Sequence, residues 1–104
     1  MSKGVGNFFQ IKAYTLDNVT LTKIGVATKT INIGPATGYR NIGIAGVSVE
    51  SASSSGANAS WVTIGRCILT QAGGTQASVR ITNYHSTSSA KVKIIVYALQ
   101  AKYA

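Results

Sequence analysis

The sequence predicts an all-β chain folded as one antiparallel β-sandwich, jelly-roll-like. Three observations lead there. Val, Ile, Thr and Tyr, which suit a pleated and half-buried surface, dominate the chain, and Gly or Asn/Ser clusters interrupt them at short intervals. No stretch longer than about ten residues repeats its apolar positions with the period of a helix. The 104 residues fit a single domain, and about six to eight short strands in that length fit a sandwich or a small barrel.

The elements follow in order. After a short N-terminal arm, Ser2–Asn7, the alternation of Phe9, Ile11 and Ala13 with Gln10, Lys12 and Tyr14 predicts a strand from Asn7 to Leu16. Asp17-Asn18 reads as a turn pair, after which Val19–Thr22 resumes the alternation. Gly25 lies in the next strand region and marks a bulge or bend. Thr28–Ile33 is a third strand, ended by Gly34-Pro35-Ala36-Thr37-Gly38, because proline cannot donate to a ladder. Asn41–Glu50 is the fourth, and its apolar phase slips between Ile44 and Val47 across Gly46, as a β-bulge would make it. Ser51–Ser60 is a loop of small residues. Trp61–Gln71, Thr75–Tyr84 and Lys91–Ala101 read as three consecutive antiparallel strands, joined at Gly73-Gly74 and at His85–Ser89. In the last strand Val92, Ile94, Val96 and Ala98 face the core, while Ile95, Tyr97 and Leu99 join Lys91 and Lys93 on the other face. A strand apolar on both faces is expected to be covered on both, within the domain or by a neighbouring subunit.

Composition narrows function. Ten Lys and Arg stand against two acids, Asp17 and Glu50, for a formal net charge of +8. Such a chain is drawn to something negative. Charged residues make up only 12%, about half the usual ~25%, so the polar surface comes mainly from Ser, Thr, Asn, Gln and Gly. That surface carries few ions to strip of water, which suits extensive contact with neighbours. Cys67 is the only cysteine, so no intrachain disulfide forms, which favours a reducing compartment. Met1-Ser2-Lys3-Gly4 leads into no apolar run of signal-peptide length, and no stretch approaches the ~20 apolar residues of a membrane helix. The sequons at Asn18 and Asn58 are expected to be chance matches.

Little here resembles catalytic machinery, and no cofactor is expected. Cys67 and His85 are the one candidate nucleophile and base. Cys67 sits mid-strand, opposite in phase to Val62, Ile64 and Ile68, and reads as a small half-buried thiol. His85 sits at a turn beside Tyr84. Asp17 and Glu50 lie in different segments, whereas paired acid–base work needs two carboxylates in one pocket. No ligand spacing for a metal occurs, and Gly4-Val5-Gly6 is too short for a phosphate loop.

Binding is the better prospect. Arg40, Arg66, Arg80, Lys91 and Lys93 are the charges expected to meet an acidic partner, with Tyr84 beside them. Arg80, Thr82 and Tyr84 share one strand face, and Lys91 and Lys93 are placed on the adjacent strand. That set gives a rival reading, a basic β-barrel binding single-stranded nucleic acid by phosphate contact and base stacking. A third reading is a small glycan-binding sandwich using Trp61 and the tyrosines Tyr14, Tyr39, Tyr84, Tyr97 and Tyr103.

In size, all-β pattern and composition the whole chain resembles small bacteriophage virion proteins, especially head decoration or cement proteins. The resemblance implies a non-enzymatic structural role, with contacts to the major capsid protein or other virion subunits. It also implies a homo-oligomer, a trimer among the options, located in virions assembled in the host cytoplasm, with no membrane partner. Expected contact elements are the Ser51–Ser60 loop, the Ser2–Asn7 arm and the C-terminal Gln100–Ala104. The strong positive charge departs from the pattern and implies an acidic coat surface or a position facing packaged genome.

Overall fold

A computed structural model describes residues 8–52, 58–70 and 74–103. The N-terminal arm and the middle of the Ser51–Ser60 loop lie outside the described residues. Six strands run in chain order: β1 Phe9–Leu21, β2 Val26–Asn32, β3 Tyr39–Ser51, β4 Val62–Leu69, β5 Gln76–Asn83 and β6 Ala90–Lys102. A 3-10 turn, Ala59–Trp61, precedes β4. The strands form two antiparallel three-stranded sheets, sheet A in the order β1-β6-β3 and sheet B in the order β2-β5-β4. The ladders β1·β6 and β2·β5 nest around β3 and β4, and the chain changes sheet at every connection except β4–β5. This is the winding of a jelly roll carried by six strands.

The core is the interface between the sheets. Ala90, Val92, Ile94, Val96 and Ala98 of β6 are fully buried, and they meet Ala77, Val79 and Ile81 of β5, also fully buried. Val19 and Leu21 of β1, Ile31 and Ile33 at the end of β2, and Val62 of β4 close the sides. Two polar clusters plug the ends. At one end Gln100 accepts from Gln10 Nε2 (2.8 Å) and donates to Tyr14 Oη and Asn41 Oδ1 (2.9 Å each). Asn41 Nδ2 then reaches the carbonyls of Ile33 and Gly74 (2.6 Å each), and Tyr14 donates to the carbonyl of Gly34. At the other end the fully buried Asn83 donates to the carbonyls of Leu21, Thr22 and Ser88 and accepts from the His85 amide. No buried side-chain polar atom among the described residues lacks a partner, as a low-dielectric interior demands.

Several expectations need correction. Asp17-Asn18 is no turn. β1 runs straight through it, with two residues where β6 has one, and the ladder resumes at Val19 opposite Val92. Asn18 takes φ 55°, a left-handed conformation that asparagine tolerates. The bulge moves the inward phase of β1 from even to odd residues, which is why Val19 and Leu21 reach the core. Gly25 lies in the β1–β2 turn, where its amide donates to the Thr22 carbonyl (2.9 Å). The predicted slip near Gly46 is present, and a second bulge at Ile42 accompanies it. A further bulge at Gly65 reverses the phase of β4, so Cys67 faces inward opposite Val79 and Ile68 faces outward. The last three strands are not a meander: β4 and β5 form a hairpin in sheet B, and His85–Ser89 carries the chain across to sheet A.

Every edge strand carries a device that opposes further strand pairing. β1, β3 and β4 are bulged. Lys29 of β2, opposite Val79, points a charge toward the core side of its sheet. Bulges and inward charges are how exposed sheet edges avoid adding strands. The two outer faces of the sandwich carry no such device.

Candidate interaction faces

The outer face of sheet A is built from the odd residues of β6. Lys91, Lys93, Ile95, Tyr97, Leu99 and Ala101 are all half-buried, because neighbouring strands flank them while no second layer of described chain lies over them. Direct register aligns Thr15, Ala13, Ile11 and Phe9 of β1 with Ile95, Tyr97, Leu99 and Ala101. On the other side Ser48, Gly46 and Gly43 of β3 align with Ile95, Tyr97 and Leu99. Ile11 is 61% exposed and Phe9 44%. The Tyr97 ring lies beside Gly46, and its hydroxyl sits 3.4 Å from Ser48 Oγ. The middle of this face is thus apolar and uncharged over three strands.

Charge collects at its two ends. Arg40 stands opposite Ala101 at one end. At the other, Lys93 is opposite Glu50 and shares a shallow depression with Asp17, Asn18 and Ser51, with Lys91 one step beyond. Both acids of the chain are therefore on sheet A.

The outer face of sheet B differs. Arg66 and Arg80 are directly opposite one another on β4 and β5, and Thr28 of β2 flanks Arg80 on its other side. With Ile68 and Ser78 they line a recess of about 190 Å³. The aliphatic stem of Arg80 lies within 4 Å of where a Cβ on Gly65 would stand. Past the end of the ladder the Tyr84 amide donates to the Trp61 carbonyl (2.8 Å), so these two aromatics extend the same pair of strands. Tyr84 is 59% exposed and Trp61 45%.

The predicted interaction residues are therefore split. Arg66, Arg80 and Tyr84 come together on sheet B, while Lys91 and Lys93 occupy the opposite outer face with Arg40 at its far end. The expectation that Lys91 and Lys93 lie on the strand adjacent to Arg80 fails, because β6 pairs with β1 and β3 and not with β5. Gln100, expected within a C-terminal contact element, is instead the buried hub of a polar cluster. Its position is fixed by the ladder that continues β6 to Lys102, and Tyr103 follows it exposed at the end. The juxtaposition of Arg66 with Arg80 is not legible in the sequence, because it depends on the Gly65 bulge.

Cys67 and His85 have structural surroundings. Burial among the inward residues of β4 pushes the Cys67 thiol up from its ordinary value, which disfavours the thiolate. His85 Nδ1 accepts from the amides of Thr87 (3.2 Å) and Ser88 (3.0 Å), so the ring hydrogen sits on Nε2. The ring meets Trp61 edge-on at 4.6 Å. No group of three or more metal-ligating side chains forms among the described residues.

Comparison with family models, curated proteins and solved structures finds no match for this chain.

Proposed function

We propose that the chain is a non-enzymatic structural protein of a virus particle. In this reading it is a head decoration or cement protein that holds coat subunits together through many repeated contacts. The observation that carries the reading is the outer face of sheet A, with Ile95, Tyr97 and Leu99 uncovered beside Phe9 and Ile11 and no charge among them. Strands of 13 residues at ~3.3 Å per residue, three abreast, present roughly 600 Å² in projection. That is most of the ~800 Å² that one partner buries in a standard interface.

Blocked edges support the reading further, because they direct association to a face and away from open-ended strand addition. The partner fitted to this face is a coat subunit with an apolar strip and an acid placed to meet Arg40 at one end, while at the other end Lys93 faces Glu50 of its own chain and Lys91 lies one step beyond. Symmetry would multiply a modest single contact into firm attachment. Size, all-β pattern and composition, in which the chain resembles small phage virion proteins, supply the particle as the setting.

The test is mass spectrometry on gradient-purified particles from the source that carries this gene. The reading expects the chain in those particles at a copy number set by the shell's symmetry. Its absence from purified particles, with abundant chain left in the soluble fraction, would overturn it.

A further inference from the structure

We propose that the outer face of sheet B binds single-stranded nucleic acid, with a phosphodiester group held by Arg66 and Arg80 and a base stacked on Tyr84. This inference stands apart from the assembly reading, which uses the opposite face.

The first argument is electrostatic. Arg66 and Arg80 face each other in direct register on neighbouring strands. Like charges so placed are unfavourable in the free protein. Neither side-chain carboxylate of this chain relieves them, because Asp17 is on β1 and Glu50 on β3, both in sheet A. A single oxyanion between the two guanidinium groups would convert repulsion into paired charge-assisted hydrogen bonds, and the planar arginine fork suits phosphate oxygens. The recess beside them is lined by the hydroxyl residues Thr28 and Ser78, which can donate to the same oxyanion or to a sugar.

The second argument comes from the aromatics. Tyr84 lies four residues beyond Arg80 on the same strand phase, so roughly 13 Å separates their backbone positions. Tyr84 is more than half exposed, and Trp61, paired with it across the ladder, is nearly half exposed. An exposed aromatic beyond a basic pair on a flat sheet face is how single strands are held without sequence preference, with stacking and phosphate contact alternating along the backbone. An acidic protein segment would satisfy the arginines and leave the aromatics without a role, so the combination favours nucleic acid.

The test is fluorescence polarisation with a labelled single-stranded DNA of about ten nucleotides, titrated across salt concentrations. One phosphodiester neutralised by the pair predicts that the Arg66→Ala/Arg80→Ala variant lowers the steepness of log K against log salt by about 0.7. Tyr84→Ala is expected to weaken binding about 5- to 150-fold with the salt slope unchanged. Lys91→Ala/Lys93→Ala, on the other face, should retain the wild-type slope to within a few tenths. All these positions are on outer faces, and circular dichroism with a thermal midpoint verifies each fold. The inference is overturned if wild type fails to bind at low salt, or if the arginine double variant keeps the wild-type slope. It is also overturned if an oligoglutamate of equal length and charge displaces the DNA as well as unlabelled DNA does, because the face would then read only negative charge.

Discussion

Gln100 offers the sharpest stability prediction, because its amide joins three strands at one end of the sandwich. It is fully buried and bonds Gln10 and Tyr14 of β1 and Asn41 of β3. Gln100→Met keeps most of the volume and removes all three bonds. The loss is unequal among the partners. Gln10 is half-buried and recovers its bond with water, and Tyr14 still donates to Gly34. Asn41 Oδ1 is buried and has no other donor among the described residues, so it bears the desolvation penalty of an unmade bond, about 1–3 kcal/mol. The two recoverable bonds add about 0.5 kcal/mol each. The sum is about 3 kcal/mol, a large part of the ~5–15 kcal/mol available to a domain, or about 12–24 °C in melting temperature at this size. Urea unfolding should show the midpoint falling at constant m-value. Gln10→Ala, which strips one half-exposed partner, should cost less than about 1 kcal/mol. Equal losses for the two variants, or a loss below about 1 kcal/mol for Gln100→Met, would refute the view that the cluster depends on Gln100.

Three further outcomes are expected. Gly25→Ala should destabilise by about 1–3 kcal/mol, because the added Cβ would lie 2.7 Å from the Thr22 carbonyl oxygen, whereas Gly34→Ala, with nothing within 4 Å, should stay within about 0.5 kcal/mol of wild type in the same unfolding assay. The Cys67 thiol is raised in the folded chain above its ordinary 9.0 by burial, so its contribution to stability is full below that value and is lost as pH rises past it. Cys67→Ala should flatten that alkaline decline in urea midpoints, and aromatic disulfide reagents should react faster with the unfolded chain. Arg66→Gln should raise the stability of the free protein by about 0.2–1 kcal/mol by relieving the cross-strand repulsion with Arg80, a gain that thermal melts should show shrinking at high salt.

How much was legible in the sequence depends on which rule each element obeys. Strict alternation made the two faces of β6 readable, and Val92, Ile94, Val96 and Ala98 are all at zero exposure as that alternation requires. The all-β class followed from the same regularity. Bulges were the main obstacle. A bulge at a glycine inside an apolar run leaves a visible phase slip, as near Gly46. The bulge at Asp17-Asn18 looks like a turn, because the residues that tolerate left-handed φ also favour turns. The Gly65 bulge hid both the inward position of Cys67 and the meeting of Arg66 with Arg80. Sheet membership was the other gap. Consecutive strands usually pair, and nothing in His85–Ser89 marks it as a crossover, so the sequence puts Lys91 and Lys93 beside Arg80, whereas the sandwich puts them on opposite sides. The Gln100 cluster was unreadable for a related reason. Its four side chains come from Gln10, Tyr14, Asn41 and Gln100, and only the β1-β6-β3 order brings them together.

The central claim is that the outer face of sheet A is an association surface. Cosedimentation with particles stripped of this chain, at moderate salt, tests it most directly when wild type is compared with Leu99→Glu. The substitution sets a charge in the middle of the apolar strip and leaves the core face of β6 untouched. The account predicts saturable binding of wild type to the shell and none for the folded variant. A wild type that stays in the supernatant, or a Leu99→Glu variant that binds as wild type does, would contradict it.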